Sequence, residues 1–234
     1  MEKKPTKIDF KLKISNYYTP SKFFLNSLFD LYGSDKGTND AMLAKCYGWN
    51  AHTYGDYYSR LFEHCAEKFS NVFECGLGTN DTSITSNMGK YGKPGASLRA
   101  WGDYFPNADI YGADIDKNIL FEEERIKTFY VDQMKRDSIK NLWDQINIKN
   151  FDLIIEDGLH TFEAGINFFE MSINQLSDKG IYIIEDVQTS EFFNFVEYFE
   201  LKKDMYNFNL IVLQNTDRPK TNSNLIEIRK INNK

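Results

Sequence analysis

Apolar residues recur along the chain in two alternating rhythms. Five short apolar runs have strand character, and they cover residues 72–76, 108–113, 127–131, 151–156 and 180–185. Between them, apolar residues spaced by three and four predict helices near 96–104, 116–124, 136–146, 162–176 and 190–203. The clearest helical stripe consists of Phe162, Ile166, Phe169, Ile173 and Leu176. Strand–helix alternation of this kind predicts a parallel sheet with helices on both faces.

The two ends of the chain depart from this rhythm. Two strand-like runs at 209–213 and 224–228 are separated by turn-forming residues, which predicts a C-terminal antiparallel hairpin. Near the other end, helices are predicted from Ser21, with a stripe of Phe23, Phe24, Leu28 and Leu31, and over residues 54–69. We therefore predict a Rossmann-like, doubly wound α/β core over residues 71–234, with five parallel strands plus the hairpin. Residues 1–70 are predicted to form an N-terminal arm and helical extension, a lid on the substrate side.

The composition is that of an ordinary globular protein and excludes several classes of partner. The 234 residues carry a formal net charge of −6 and their basic residues are scattered, which argues against a nucleic-acid partner. No apolar run has the length of a membrane-spanning helix, and the lysine-rich start lacks the apolar segment of a secretory signal. The three cysteines lack metal-binding spacing. These features predict a cytoplasmic protein and are compatible with a homo-oligomer.

The first predicted strand runs into Glu74-Cys75-Gly76-Leu77-Gly78. Glycines at these positions allow the backbone to approach a ligand closely, because neither carries a Cβ atom. A dinucleotide-binding fingerprint would need a third glycine or an alanine where this chain has Asp81. The E-x-G-x-G form and the long loop that follows favour S-adenosylmethionine instead, with Glu74 near its ammonium group.

Acids also follow the next two strands. The second strand ends at Asp114, where a carboxylate can accept hydrogen bonds from both hydroxyls of a ribose. The third strand leads into Asp132 and Gln133, which are placed to reach an adenine edge. One such residue alone is typical of a solvated loop, but several in this order at the same sheet edge favour a nucleoside site.

The fourth and fifth strands end in a further pair of acids, Asp157 and Asp186. Neighbouring strands lie about 4.8 Å apart, so these carboxylates are expected side by side, where they repel unless a cation or a proton lies between them. Hard oxygen ligands favour Mg²⁺, so we predict a metal site at this pair, with Glu185 as a candidate third ligand. The alternative is that both aspartates cap the helices that follow.

His160 lies three residues after Asp157 and is one of only three histidines. An imidazole beside a reaction centre can take a proton from an acceptor hydroxyl near neutral pH, so we predict that His160 is a general base and that Asp157 belongs to the catalytic group. A packed or surface imidazole is the alternative. His52 and His64 are assigned no role, although His52 is a candidate for the mouth of the site.

With these motifs in place, the chain resembles the metal-dependent macrolide sugar O-methyltransferases of the mycinamicin type from about Gly33 to Asp186. The most specific elements are S-L-R-x-W at 97–101 and E-D-G-x-H at 156–160. Further matching segments are 33–36, 52–54, 74–78, 104–106, 110–115, 132–133 and 180–186. The resemblance implies a class I methyltransferase fold, S-adenosylmethionine, Mg²⁺ at Asp157 and Asp186, and His160 as the base toward a sugar hydroxyl. It implies a cofactor-binding set of Glu74, Gly76, Gly78, Ser97, Arg99, Asp114, Ile115, Asp132, Gln133 and Asp157.

The chain departs from that family at several positions. Glu156 and Leu159 stand where the family usually has aspartate and serine, and the loop from Thr79 to Pro94 lacks its glycine-rich form. Longer relatives carry a large N-terminal auxiliary domain, whereas only about seventy residues precede the first strand here. The composition, rich in Asn, Lys, Ile and Phe, also differs from that of polyketide producers. We therefore expect the acceptor to be a sugar or another small polar molecule, with a surface-glycan sugar or its activated precursor as the favoured case.

Two other functions stay open at this point. One is a metal-independent methyltransferase that acts on nitrogen or a phosphate-type oxygen, with Asp157 and Asp186 in structural roles. The other is a Rossmann-like protein that binds S-adenosylmethionine without catalysis. A nicotinamide-dependent oxidoreductase is disfavoured by Asp81 and by the long loop after the glycines.

Overall fold

The structure is a computed structural model, and it describes residues 12–15, 24–38, 49–213 and 224–231. Its strands are β1 (Leu12–Ser15), β2 (Asn71–Cys75), β3 (Asp109–Asp114), β4 (Glu122–Glu123), β5 (Ile126–Tyr130), β6 (Phe151–Glu156), β7 (Leu176–Ile184), β8 (Tyr206–Leu213) and β9 (Asn224–Lys230). Its α-helices are α1 (Phe24–Tyr32), α2 (Tyr54–Phe62), α3 (Ala96–Tyr104), α4 (Arg136–Ile146), α5 (Phe162–Ser172) and α6 (Phe192–Glu200). None of the described helices is both long and apolar enough to cross a membrane.

All nine described strands form one sheet in the order β1-β8-β9-β7-β6-β2-β3-β5-β4. The five central strands, β7-β6-β2-β3-β5, pair in parallel, which confirms the predicted doubly wound core. The C-terminal hairpin is also confirmed, because β9 pairs antiparallel with β8 and with β7. β8 therefore runs in the same direction as the central strands. The structure adds two edge strands, β1 beside β8 and β4 beside β5.

Alternate side chains of the central strands enter separate cores on the two faces of the sheet. In β2, Val72 belongs to a core formed with α1, α2 and α3, whereas Phe73 belongs to one formed with α4, α5 and α6. Both side chains are fully buried. This two-sided burial explains why the central strands are continuous apolar runs, and it leaves their carboxyl ends as the free edge for a site.

The N-terminal helices share the first of these cores with the sheet. Phe29 of α1 and Tyr58 of α2 both pack edge-on against Trp101 of α3, with ring centroids 4.9 and 5.1 Å apart. The buried stripe of α1 is Leu25, Leu28 and Phe29, whereas Phe24 and Leu31 of the predicted apolar stripe are 64% and 70% exposed. Ser21 and Phe23 lie outside the described residues. The domain division at residue 70 stays a prediction.

The helix predicted over residues 116–124 is absent from this described part of the chain. A single 3₁₀ turn, Lys117–Ile119, forms there and is followed by β4. The carboxylate of Asp116 accepts the backbone N–H of Asn118 and so caps the turn. β4 then pairs with β5, with Glu122 opposite Lys127, which gives these acidic residues a cross-strand partner instead of a helical one.

Candidate active site

A cavity of about 1010 Å³ lies at the carboxyl ends of the parallel strands. Segments 34–36 and 49–52 of the N-terminal extension line it together with the loops that follow the central strands. The structure brings most of the predicted site residues to its wall: Glu74, Gly76, Gly78, Ser97, Asp114, Ile115, Asp132, Gln133, Asp157, His160 and Asp186. The structure therefore places these residues together at the carboxyl edge of the sheet, as the order of the parallel strands predicted.

Arg99 is the predicted cofactor-binding residue that the structure does not bring to this wall. Its guanidinium bonds to the carboxylate of Glu123 at 2.6 to 3.1 Å and to the carbonyl oxygen of Pro94 at 3.0 Å. It also lies over the ring of Phe121, 4.3 Å from the ring centroid. The side chain thus leaves α3 toward β4, and its contacts hold that edge strand rather than a ligand.

The loop after β2 is built around two glycines in the left-handed region. Gly76 has φ 97° and Gly78 has φ 80°, values that a residue with a side chain adopts only with strain. A Cβ atom on Gly76 would lie 2.0 Å from the carbonyl oxygen of Asp157. The cofactor loop and the loop after β6 are therefore in direct backbone contact, which glycine alone permits.

Glu74 lies beneath this loop and is 1% exposed. Its carboxylate accepts hydrogen bonds from the Ser97 hydroxyl at 2.6 Å and from the Trp101 indole N–H at 2.5 Å. The S-L-R-x-W element thus positions Glu74, and this explains the spacing of its serine and tryptophan on one face of α3. The carboxylate keeps its place at the cavity wall, where a ligand cation would meet it.

Asp114 holds the cofactor loop through its carboxylate. Oδ2 accepts the backbone N–H of Leu77 at 2.7 Å, and Oδ1 accepts that of Asp116 at 2.9 Å. Burial raises the pKa of Asp114, and these backbone hydrogen bonds oppose the shift. The next acid, Asp116, accepts a hydrogen bond from the hydroxyl of Thr79 at 2.5 Å and so holds the residue that follows Gly78. Both oxygens of Asp114 retain acceptor capacity, so the carboxylate also remains available to a diol.

Two exposed apolar side chains flank the end of the cavity near β5. Ile115 is 47% exposed and Met134 is 42% exposed, and both line the wall. Asp132, in the loop after β5, accepts the backbone N–H of Met134 at 3.0 Å and forms an ion pair with Lys135 at 2.7 Å. Apolar side chains on either side of a polar group suit a flat ring with a hydrogen-bonding edge.

Asp157 and Asp186 lie on either side of His160. The imidazole Nδ1 is 3.9 Å from Oδ1 of Asp157, and Nε2 is 3.8 Å from Oδ2 of Asp186. His160 itself has φ 58°, a left-handed backbone that turns the loop into α5. Burial raises the pKa of Asp157 to about 7, although Lys36 opposes this shift.

Neither aspartate caps the helix that follows it. The hydroxyl of Thr161 caps α5 by accepting the backbone N–H of Ala164, and α6 starts only after Glu191. The alternative that Asp157 and Asp186 are capping residues is therefore wrong. Their carboxylates are left for contacts with other side chains and with ligands.

Lys36 is the main site residue that the sequence analysis missed. Its side chain is buried, and its ammonium nitrogen lies 2.5 Å from Oδ2 of Asp157, 2.5 Å from Oε2 of Glu185 and 3.5 Å from Oε1 of Glu74. Burial lowers the pKa of Lys36, but attraction by these carboxylates raises it well above its ordinary value. One ammonium group from the N-terminal extension thus ties together the ends of β2, β6 and β7. Glu185 also accepts the hydroxyl of Tyr58.

A second cation from the same extension faces Asp186. His52 lies with Nδ1 3.5 Å from Oδ1 of Asp186 and with Nε2 3.5 Å from Oδ2 of Asp35. Burial lowers the pKa of His52, but Asp186 and Asp35 raise it to about 10, so the imidazole is charged at neutral pH. The hydroxyl of Tyr54 donates to the same oxygen of Asp186. His52 therefore lines the site, as its candidacy for the mouth suggested, but its ionic contact with Asp186 was not predicted.

The residues at this position fit a divalent cation. One ligand atom each from Asp157, His160 and Asp186 lies within 4.8 Å of the other two. The N-terminal extension binds Oδ2 of Asp157 and Oδ1 of Asp186, so the opposite oxygen of each faces His160. The buried Nδ1 of His160 has no hydrogen-bond partner among the described residues. Two hard carboxylate oxygens directed to one point are the donors that Mg²⁺ prefers.

Curated proteins similar to this chain are O-methyltransferases, whereas no protein-family model matches it. The chain is 32% identical over 142 residues to the 8-demethyl-8-alpha-L-rhamnosyl tetracenomycin-C 2'-O-methyltransferase of Streptomyces olivaceus, covering 61% of this chain and 35% of that protein. It is 30% identical to the demethylmacrocin O-methyltransferase of Streptomyces fradiae, over 59% of this chain and 33% of that protein. The chain thus spans about a third of the length of these relatives. The resemblance inferred from the motifs is confirmed.

Solved structures agree on the fold. The MycE methyltransferase of the mycinamycin biosynthetic pathway, in complex with Mg and SAH, superposes with a TM-score of 0.63 and 21% identity, over 88% of this chain and 54% of that one. SAH-bound methyltransferase PaMTH1 of Podospora anserina gives a TM-score of 0.50 and 14% identity, over 89% and 88%. The chain has the class I methyltransferase fold.

Proposed function

We propose that this chain, with its class I methyltransferase fold, transfers the methyl group of S-adenosylmethionine to a hydroxyl of a sugar. The observation that carries the proposal is the position of His160 between Asp157 and Asp186, on the cavity that also holds the Gly76–Gly78 loop. Its curated relatives are named as O-methyltransferases, one of them of a rhamnosyl compound, which supports the same reaction class.

The cofactor would lie along the carboxyl ends of β2, β3 and β5. We assign the methionine end to the Gly76–Gly78 loop, where the carboxylate of Glu74 meets the ammonium group. Asp114 would accept from the ribose hydroxyls. The adenine ring would lie between Ile115 and Met134 with its edge toward Asp132, because these side chains share that end of the cavity.

The sulfonium methyl group is already a strong electrophile, so the protein has to supply an aligned and partly deprotonated hydroxyl. His160 is the base in this proposal, and it accepts the hydroxyl proton on its imidazole. Asp157 and Asp186, less than 4 Å away on either side, stabilise the imidazolium that results. A Mg²⁺ ion held by Asp157 and Asp186 would act as a Lewis acid toward the hydroxyl and lower its pKa.

The remaining wall of the cavity suits a carbohydrate. It includes the Trp49 ring, whose indole N–H donates to Asp35 at 3.0 Å, and the polar side chains of Asn50, Ser86 and Asn87. An aromatic ring held in one orientation can pack on the C–H face of a sugar, and amides and hydroxyls bind its hydroxyl groups. We therefore propose a free or glycan-linked sugar, or its activated precursor, as the small-molecule acceptor, and no nucleic acid.

Methyl transfer from labelled S-adenosylmethionine to a panel of monosaccharides, oligosaccharides and sugar nucleotides tests this function. We expect one member of the panel to gain a methyl ether, identified by mass spectrometry, and the His160→Ala variant to lose that product. Binding of S-adenosylhomocysteine with no methylated product from any carbohydrate would contradict the proposal and favour a protein that only binds the cofactor.

A metal-independent methyltransferase is the second candidate, and one observation favours it. Lys36 and His52 already place two positive charges against Asp157 and Asp186, so the carboxylate pair has counter-ions from the chain itself. Activity that survives an excess of chelator would select this candidate. Activity that is lost with the chelator and returns with added Mg²⁺ selects the metal-dependent one.

We place the reaction in the cytoplasm, in a reducing compartment. Both described cysteines, Cys65 and Cys75, are free thiols, which is the state expected there. A homo-oligomer remains a prediction, and the mass of the purified protein in light scattering tests it.

A further inference from the structure

Gln133 and Glu156 form a buried hydrogen-bonded clamp on the loop that carries Asp157 and His160. The side-chain N–H of Gln133 donates to Oε1 of Glu156 at 2.6 Å, and the side-chain oxygen of Gln133 accepts the backbone N–H of Leu159 at 3.0 Å. Oε1 of Glu156 also accepts the backbone N–H of Gly158 at 3.2 Å. Both ends of the Gln133 amide are thus engaged within the protein.

The clamp fits closely around the loop. Glu156 is 1% exposed and Gln133 is 8% exposed. A Cβ atom on Gly158 would lie 1.9 Å from the side-chain oxygen of Gln133, so the loop backbone is in contact with the amide. The backbone N–H of Asp157 donates to the carbonyl oxygen of Cys75 at 2.8 Å. The backbone N–H groups of three successive residues, 157 to 159, are therefore hydrogen-bonded before the chain turns at His160.

We infer that Gln133 and Glu156 are positioning residues for the proposed methyl transfer: they fix the loop so that His160 stays between Asp157 and Asp186. This inference rests on the proposed function. It assigns Gln133 to the loop instead of the adenine edge, which is left to Asp132. Glu156, which stands where the family usually has aspartate, reaches the Gln133 amide with its carboxylate.

A reciprocal exchange of the two side chains tests the clamp. In Gln133→Glu, a carboxylate faces the carboxylate of Glu156, and the two repel in a buried setting. In the double variant Q133E/E156Q, the amide and the carboxylate have changed places, and the hydrogen bond between them can form again. We expect kcat to fall at least 30-fold in Q133E, as an order-of-magnitude loss of roughly 2 kcal/mol, and to recover at least fivefold in the double variant.

The affinity for S-adenosylhomocysteine, measured by calorimetry, separates positioning from cofactor recognition. The inference predicts a dissociation constant within about threefold of wild type in both variants, with the loss confined to kcat. A cofactor affinity that falls in Q133E and does not recover in the double variant would overturn it, because Gln133 would then bind the adenine. An unchanged kcat in Q133E would also overturn it. Gln145→Glu, an exposed exchange of the same type on α4, is the matched control.

Hydrogen exchange of the Leu159 amide, followed by NMR, tests the clamp without any methyl transfer. We expect exchange at Leu159 to be at least tenfold faster in Q133E and slower again in the double variant. If Q133E does not fold, Gln133→Met removes both hydrogen bonds without adding charge and carries the same test. A wild-type protein without methyltransferase activity would refute the proposed function only, whereas unchanged Leu159 exchange in these variants would refute the clamp.

Discussion

Lys36 and Asp157 form a partly buried ion pair with a nitrogen–oxygen distance of 2.5 Å, between the N-terminal extension and the end of β6. The same ammonium group contacts Glu185 at 2.5 Å. Carboxylates at three strand ends therefore share one lysine. The pair joins the N-terminal extension to the proposed reaction centre, so the extension forms part of the site and does not only cover it.

The variant Lys36→Met keeps an unbranched side chain of similar length and removes its charge. Because it leaves the buried carboxylate of Glu185 and the partly buried carboxylate of Asp157 without their cation, we expect a loss of about 3–5 kcal/mol in the free energy of unfolding. Urea denaturation measures this loss, with the exposed Lys68→Met as the control. A stability equal to that of wild type would show that the ion pair contributes nothing to the folded state.

His160→Ala removes the proposed base. We expect kcat for methyl transfer to fall by roughly 10²–10⁴-fold, the usual contribution of general acid–base catalysis, because the variant lacks the imidazole that lies between the two aspartates. The dissociation constant for S-adenosylhomocysteine should stay close to that of wild type. His64→Ala, at an exposed histidine away from the cavity, should leave both quantities unchanged. Full turnover in His160→Ala would remove His160 from the mechanism.

Metal binding to variants tests the role of Asp157 and Asp186. In Asp157→Asn and Asp186→Asn a carboxylate ligand becomes a neutral amide, so titration with Mn²⁺ followed by electron paramagnetic resonance should show binding weakened by at least tenfold, or about 1.4 kcal/mol. Asp109→Asn, at the opposite end of β3, should bind as wild type does. Equal Mn²⁺ affinity in all of these proteins would place the metal elsewhere or exclude it.

Gly76 can be compared with Gly89, another glycine whose φ lies in the left-handed region. Gly76 and Gly89 both have positive φ, but a Cβ atom on Gly76 meets the Asp157 carbonyl at 2.0 Å, whereas a Cβ atom on Gly89 meets nothing within 4 Å. Gly89→Ala should cost only the left-handed strain of about 1–2 kcal/mol. Gly76→Ala should cost more and should abolish cofactor binding, as calorimetry would show. Similar behaviour of the two variants would exclude the backbone contact as the cause.

The charge on His52 predicts a pH dependence of stability. Its pKa is 6.5 in an unfolded chain and about 10 in the folded protein, where burial is outweighed by Asp186 and Asp35. A pKa raised by folding stabilises the protein fully below pH 6.5, and this contribution is lost as the pH rises through 10. The difference in unfolding free energy between wild type and His52→Gln should therefore be greatest just below pH 6.5, where His52 is charged and Asp35 is still ionised, and should shrink in alkali. The exposed His64→Gln should show no such trend, and a flat difference for His52→Gln would refute its charge.

The fold followed from local patterns to a large extent. The helices predicted at 96–104 and 136–146 have those bounds in the structure, because each carries a regular apolar stripe against the sheet. The failure at 116–124 has a physical reason: consecutive glutamates have good helix propensity, but here cross-strand pairing with β5 outweighs it. Phe24 and Leu31 show the same limit, since helical spacing alone does not say which of two apolar stripes faces the core.

The candidate site was predictable where it depends on strand ends and unpredictable where it depends on long-range packing. Asp114, Asp157 and Asp186 each follow an apolar run, so topology alone delivers them to one edge. Lys36 and His52 belong to no periodic apolar pattern in the sequence, and their partners Asp157 and Asp186 are distant along the chain. Arg99 shows the converse, because a motif residue on the correct helix points away from the cavity when Glu123 and Phe121 bind it.

The contacts of Lys36 also affect the order in which parts of the protein fold during synthesis. Lys36 is separated by 121 residues from Asp157 and by 149 residues from Glu185. During synthesis on the ribosome Lys36 is made early, and its last partner, Glu185, is made only after most strands of the sheet. Loop closure over such distances is slow, so the proposed catalytic centre is expected to be among the last parts to mature, after the helices of the extension have already formed.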